Sequence, residues 1–155
     1  MGHEDFMRQA IDLAVENIKN GGGPFGAVIV KDGKVVATGA NRVTANNDPT
    51  AHAEVSAIRA ACTKLGTFDL SGCVIYTSCE PCPMCLAACL WANIEKIYFG
   101  CTLKDNESIG FRDKLFFDML GGKDGISPDY LVCIDREECK KLFAEYASDK
   151  TAENY

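Results

Sequence analysis

The chain has 155 residues, 47% of them hydrophobic and 25% charged, which suits one compact domain with its own core and leaves no room for a second domain or a long disordered arm. Its 16 Lys and Arg stand against 22 Asp and Glu, a formal charge of −6. Such a surface is poorly suited to gripping a polyanion and fits a small, weakly charged ligand better.

The opening MGHEDFMRQA has neither the basic start nor the apolar stretch of a secretory signal, and no apolar run nears the roughly 20 residues that span a bilayer. The expectation is a cytoplasmic protein. Nine cysteines, an odd number, are then expected as reduced thiols, which favours metal binding over cross-linking.

From Asp5, the apolar positions Phe6, Ala10, Leu13, Ala14 and Ile18 fall on one helical face, and Gly21 to Gly23 stop that helix. His3, ahead of it, reads as a solvated residue of a polar leader. Two strands follow, Ala27 to Lys31 and Val35 to Gly39, joined by the tight-turn dipeptide Asp32-Gly33. Asp48-Pro49 reads as a helix start, with the helix running to Gly66. Cys73 to Ser78 is an apolar strand. Pro81 and Pro83 open a helix that ends near Asn93, and KIYFG is a strand. Lys114 to Leu120 reads as a short helix, Tyr130 to Ile134 as a strand, and Arg136 to Ala147 as a helix. This order predicts an α/β domain with helices covering a mixed sheet.

The stretch CEPCPMCLAAC carries Cys79, Cys82, Cys85 and Cys89. Cys82 and Cys85 are three apart at a helix start, so their side chains share a face. The positive end of the helix dipole there favours the thiolates that metals bind. His52, in TAHAEV, lies at the other helix start of interest. One imidazole and two thiolates, with a fourth position left for water, is the ligand set of a catalytic zinc. Glu54 follows His52 by two residues, a spacing that does not share a helix face, so it is expected to reach the attacking water and not the metal. HAE followed by PCxxC is the signature of zinc deaminases, in which this Glu moves protons.

Two readings of other kinds stay open. CxxCxxCxxxC matches an iron–sulfur run, although Leu90 stands where that run has Pro and HAE is left unexplained. A structural zinc module would need Cys79 or Cys89 as a fourth ligand. We expect Cys79 to end the strand and Cys89 to pack the helix.

PFGAVIVKDG, NDPTAHAEV, TSCEPCPMCL, Trp91-Ala92, the GFRD stretch from Gly110 to Asp113 and the terminal tyrosine resemble the cytidine and deoxycytidylate deaminase superfamily, in particular its bacterial guanine deaminases. The resemblance implies a three-layer α/β/α fold with a mixed central sheet. It also implies one Zn2+ on His52, Cys82 and Cys85, with Glu54 as proton shuttle. By the same resemblance Asn41 hydrogen-bonds the base, Phe25, Ala53 and Trp91 shape its pocket, and Asp113 helps bind substrate and move protons. Tyr155 would close the active site of a homodimer partner through a swapped tail. Between Asp113 and Tyr155 no motif is matched. The implied reaction is hydrolysis of guanine to xanthine and ammonia, with tRNA adenosine, cytosine or another aminated heterocycle as alternative substrates.

Overall fold

The computed structural model describes residues 1–152 and Asn154; Glu153 and Tyr155 lie outside the described residues. Along the chain come α1 (His3–Lys19), β1 (Gly26–Lys31), β2 (Lys34–Ala40), α2 (Val43–Asn46), α3 (Ala53–Leu65) and β3 (Cys73–Cys79). There follow α4 (Pro83–Trp91), β4 (Lys96–Cys101), α5 (Leu103–Ser108), α6 (Asp113–Met119), β5 (Leu131–Cys133) and α7 (Arg136–Ser148). The strands form one mixed sheet in the order β2-β1-β3-β4-β5, with β1 antiparallel to both its neighbours and β3, β4 and β5 parallel.

Strand alternation divides the apolar residues between two faces. Val28, Val30 and Tyr76 pack with Phe6, Ala10 and Ala14 of α1 and with Leu142 and Phe143 of α7. Ala27, Ile29, Ile75 and Ile97 pack on the other face with Ala53 and Ala57 of α3 and Leu86 and Cys89 of α4. The result is the expected α/β/α sandwich, two cores separated by the sheet. At the β1–β2 turn, Asp32 (φ 50°) and Gly33 (φ 72°) take the left-handed conformations of a hairpin turn.

Several boundaries differ from the sequence reading for local reasons. The third helix begins at Ala53 and not near Asp48. Asp48 Oδ1 accepts both the Thr50 N–H, at 2.9 Å, and the Thr50 hydroxyl, at 2.7 Å. That closes a turn instead of capping a helix. His52 itself takes the N-cap position, with extended φ −67° and ψ 160°. The short helices α2 and α5 were not expected; each is too short to show a 3.6-residue apolar period. His3 is exposed, as expected, but does not belong to a leader: it opens α1, its Nδ1 lies 2.6 Å from the Tyr76 hydroxyl, and its ring centroid lies 4.5 Å from that of Tyr98.

Gly39 ties the sheet to the helix that carries His52 and Glu54. A Cβ built at Gly39 would lie 2.4 Å from the Ala53 carbonyl oxygen and 2.5 Å from the Ala57 nitrogen, both backbone atoms that cannot swing away. The Gly39→Ala substitution should therefore destabilise the fold by about 1–3 kcal/mol, lowering Tm by roughly 2–10 °C. Thermal denaturation followed by circular dichroism measures this, and an unchanged Tm would show that the contact between β2 and α3 yields freely.

Candidate active site and metal centre

Two helix N-termini meet at one end of the sheet. His52 caps α3, Cys82 caps α4 from the segment that leaves β3, and Cys85 sits a turn further along α4. Cys82 Sγ is 3.5 Å from His52 Nδ1, and one ligand atom from each of the three residues lies within 4.8 Å of the others. Zinc bonds of about 2.0 Å to nitrogen and 2.3 Å to sulfur place tetrahedral ligand atoms roughly 3.4–3.8 Å apart, so the three donors need only a small contraction to hold the metal. Cys79 ends β3 and Cys89 is fully buried in the core cluster beneath α4; neither joins the triad.

Glu54 lies in the first turn of α3, buried, with its Oε1 accepting the Thr77 hydroxyl at 3.3 Å. Glu54 follows His52 by two residues and does not join the triad, although its carboxyl lies beside Cys82 and Cys85. Glu54, Asp113, Asn41, Phe25 and Ala53 line one cavity of about 620 Å³ together with His52 and Cys82. Asn41 is held from both sides. Its Oδ1 accepts the Val43 N–H at 3.1 Å, which fixes the amide's orientation, and its backbone carbonyl accepts Asn17 Nδ2 at 2.9 Å. Asn41 Nδ2 is then left buried without a protein acceptor. A fixed donor on the wall of a cavity calls for a ligand acceptor.

The electrostatics suit a bound cation. The Cys82 thiol is pulled down to about 4, first by its hydrogen bond with Cys85, then, against burial, by the bond to His52. The same Cys82–Cys85 bond, with burial, pushes the Cys85 thiol well up, because the pair holds a single proton. Burial raises the Glu54 carboxyl, and the neighbouring Cys82 charge adds to it. Asp113 is raised to about 7 by burial and by the charges of Cys82 and Glu54. Burial lowers His52, but the Cys82 hydrogen bond and the Glu54 charge outweigh it and the net shift is upward. A thiolate that raises the proton affinity of the acidic groups around it makes a site suited to a positive charge.

One imidazole and two thiolates on converging helix ends, beside a buried glutamate that does not ligate, are the parts of a zinc-dependent hydrolytic enzyme. Residues 1–101 match the cytidine and deoxycytidylate deaminase zinc-binding region. The guanine deaminase of Bacillus subtilis is 52% identical over 118 residues, 76% of each chain. Its crystal structure superposes with a TM-score of 0.76, at 43% identity over 97% of this chain and 98% of that one. A guanine deaminase from Nitrosomonas europaea gives a TM-score of 0.84 at 29% identity, covering 96% of this chain and 86% of that one. The tRNA-specific adenosine deaminase of Buchnera aphidicola is 32% identical over 145 residues, 94% of this chain and 93% of that one. The chain belongs to the cytidine and deoxycytidylate deaminase family, and zinc is its cofactor.

Not every residue named from the sequence meets at the cavity. Trp91, at the C-terminal end of α4, is 86% exposed and is not among the residues lining the cavity of its own chain, so the expected contribution to this pocket is not found there. Its position follows from the helix: Cys82 and Cys85 occupy the N-terminal turn and Trp91 lies two turns away. Tyr155 lies outside the described residues. Asn154 Nδ2 donates to the carbonyl of Ile109 in the same chain at 2.9 Å, next to Phe111 of the cavity wall. Sequence reasoning passed over Glu80, Phe111 and Arg112, all of which line the cavity. For Glu80 the signal was its place inside CEPC.

Cys82→Ser and Cys85→Ser should each reduce the zinc content from about one per chain to a small fraction, read by metal analysis of the purified protein, whereas Cys89→Ser should retain it. In the zinc-free protein, the raised Asp113 carboxyl binds a proton that the unfolded chain has already released between about pH 4 and 7. Its contribution to stability is therefore complete below pH 4 and lost as pH rises to about 7. The Tm of zinc-free Asp113→Asn relative to wild type should rise across that window, and a constant difference would contradict the assignment.

Proposed function

We propose that this protein hydrolyses guanine to xanthine and ammonia. The observation that carries the reading is the pairing, in one cavity, of a buried non-ligating Glu54 beside the metal triad with the unpartnered Nδ2 of Asn41 on the wall. The likeness to guanine deaminases from two bacteria supports guanine as the base.

When bound, zinc supplies a Lewis acid that makes water a nucleophile near neutral pH. Glu54 takes a proton from the attacking water as its oxygen bonds to C2 of the base, and gives that proton to a ring nitrogen. It then accepts the second proton and delivers it to the amino nitrogen, which leaves as ammonia. The two steps need one carboxyl that alternates between base and acid, and burial raises the Glu54 carboxyl above its ordinary value. Asn41 Nδ2 donates to an acceptor on the base and so sets which ring carbon faces the water. Asp113, half-buried in the wall and raised to about 7, is poised to bind a ring N–H or carry a proton to the rim.

A tRNA adenosine deaminase is the second reading, supported by the Buchnera relative. The net charge of −6 disfavours it, because an anticodon loop needs a basic groove. The reading also includes a cytoplasmic homodimer. Trp91, Met119 and Leu120 are exposed apolar side chains of the kind a second copy covers, and no helix among the described residues is long and apolar enough to cross a membrane. In such a dimer Tyr155 would close a cavity from the tail, and Trp91 would meet the partner.

Ammonia release from guanine, cytosine, adenine, their nucleosides and tRNA separates these substrates, with guanine expected to be turned over fastest. Glu54→Gln should keep its zinc and lose roughly 10²–10⁴-fold in kcat. Asn41→Ala should lose about 10-fold in kcat/KM on guanine without metal loss. Equal turnover of Glu54→Gln and wild type would reject the proton-shuttle role, and sedimentation of a monomer at micromolar concentration would reject the dimer.

A further inference from the structure

Glu80 lies on the segment joining β3 to α4, lines the cavity and is 4% exposed, yet no step of the deamination uses it. Its Oε1 accepts the Leu103 N–H at 3.3 Å, and its Oε2 is ion-paired with the ammonium of Lys123. A buried carboxylate is costly without a cationic partner, so drawing Lys123 away would leave the Glu80 charge buried and unpaired.

Lys123 belongs to the segment that begins at α6. Asp113, Phe116 and Leu120 of that segment form part of the cavity wall. Phe117 is the one buried side chain of α6, and the Lys123 ammonium lies 5.8 Å from its ring centroid. Gly121 (φ 91°) and Gly122 (φ 85°) take left-handed conformations that reverse the chain directly after α6 and return Lys123 toward Glu80. Met119, outside the cavity lining, is largely exposed, and Leu120 lines the cavity while still largely exposed. The segment is therefore pinned to the molecule through Phe117 and, past the two glycines, through Lys123.

We propose that Lys123 is a positioning residue for substrate binding: its ion pair with Glu80 latches residues 113–123 against the cavity and holds Asp113, Phe116 and Leu120 in the wall. The consequence for substrate rests on the guanine reading above; the latch itself does not. Glu80 stands two residues before the ligand Cys82, so the latch is tested from the Lys123 side.

The full-length, zinc-loaded protein is compared as wild type, Lys123→Met and Lys123→Arg. Hydrogen–deuterium exchange of peptides covering 113–123 should be about 10-fold faster in Lys123→Met, close to wild type in Lys123→Arg, and unchanged for α3 in both. KM for guanine should rise about 10-fold in Lys123→Met, with kcat and zinc content within about 2-fold of wild type, and Lys123→Arg should restore it. If the unpaired Glu80 prevents Lys123→Met from folding, the double substitution Glu80→Gln with Lys123→Met removes both charges and is read in the same way. Unchanged exchange over 113–123, an Arg variant as impaired as the Met variant, or faster exchange with unchanged KM overturns the proposal. The expected exchange pattern in a wild type that does not turn over guanine supports the latch and rejects guanine as the substrate.

Discussion

Cys82, Glu54 and Asp113 crowd acidic groups into one buried cavity, and a divalent cation is what makes that crowding stable. Each group raises the proton affinity of its neighbours, so that without the metal the pocket holds protons where chemistry needs free acceptors. The ligand set follows from the same balance. His52 and Cys82 sit at N-cap positions, where helix N–H groups and the helix dipole favour negative charge. Both helices aim those ends at the same point, which lets one imidazole and two thiolates share a cation without a third acidic ligand.

The sheet makes that convergence possible. β1 runs antiparallel to β2 and β3, while β3 and β4 are parallel, so the exit of β3 lies beside the loop that leads from β2 into α3. The α3 face against the sheet is made of Ala53, Ala57 and Ala61, and β2 offers Gly39 there. Small residues on both sides let α3 approach closely. A bulkier pair would lift α3 and carry His52 and Glu54 away from Cys82. Packing on this face is therefore a constraint on the chemistry as well as on stability.

The parts legible in the sequence were those whose physics is local. HAE and PCxxC mark helix starts within a few residues, and the strands showed their alternation and the Asp32-Gly33 turn. Cys79 and Cys89 could be set aside because one ends a strand and the other sits a helical turn below the ligands. The start of α3 was misplaced because Asp48 spends its carboxylate on Thr50, a choice between a turn and a cap that spacing alone does not reveal. Trp91 was expected in the pocket from the family resemblance alone, yet it ends α4 largely exposed. Glu80 and Lys123 stand 43 residues apart in an ion pair that no period or motif announces.

The same division separates chemistry from choice of base. His52, Cys82 and Glu54 line the cavity, and in the proposed reaction their part does not depend on which base carries the amino group. In the proposed reaction selection falls to the wall, which draws on different parts of the chain: Asn41 after β2, Phe111 from the loop before α6, Asp113 and Phe116 from α6, and Leu120 directly after it. Asn41 is fixed because the Val43 N–H holds its amide oxygen and Asn17 Nδ2 holds its backbone carbonyl. The α6 side packs on α5 and α4, buries Phe117, and is joined to Glu80 through Lys123. A wall with one fixed donor and one adjustable side can keep the base in register with the water while its mouth changes shape, so substitutions that alter substrate range should accumulate in residues 111–123 before they reach His52, Cys82 or Glu54.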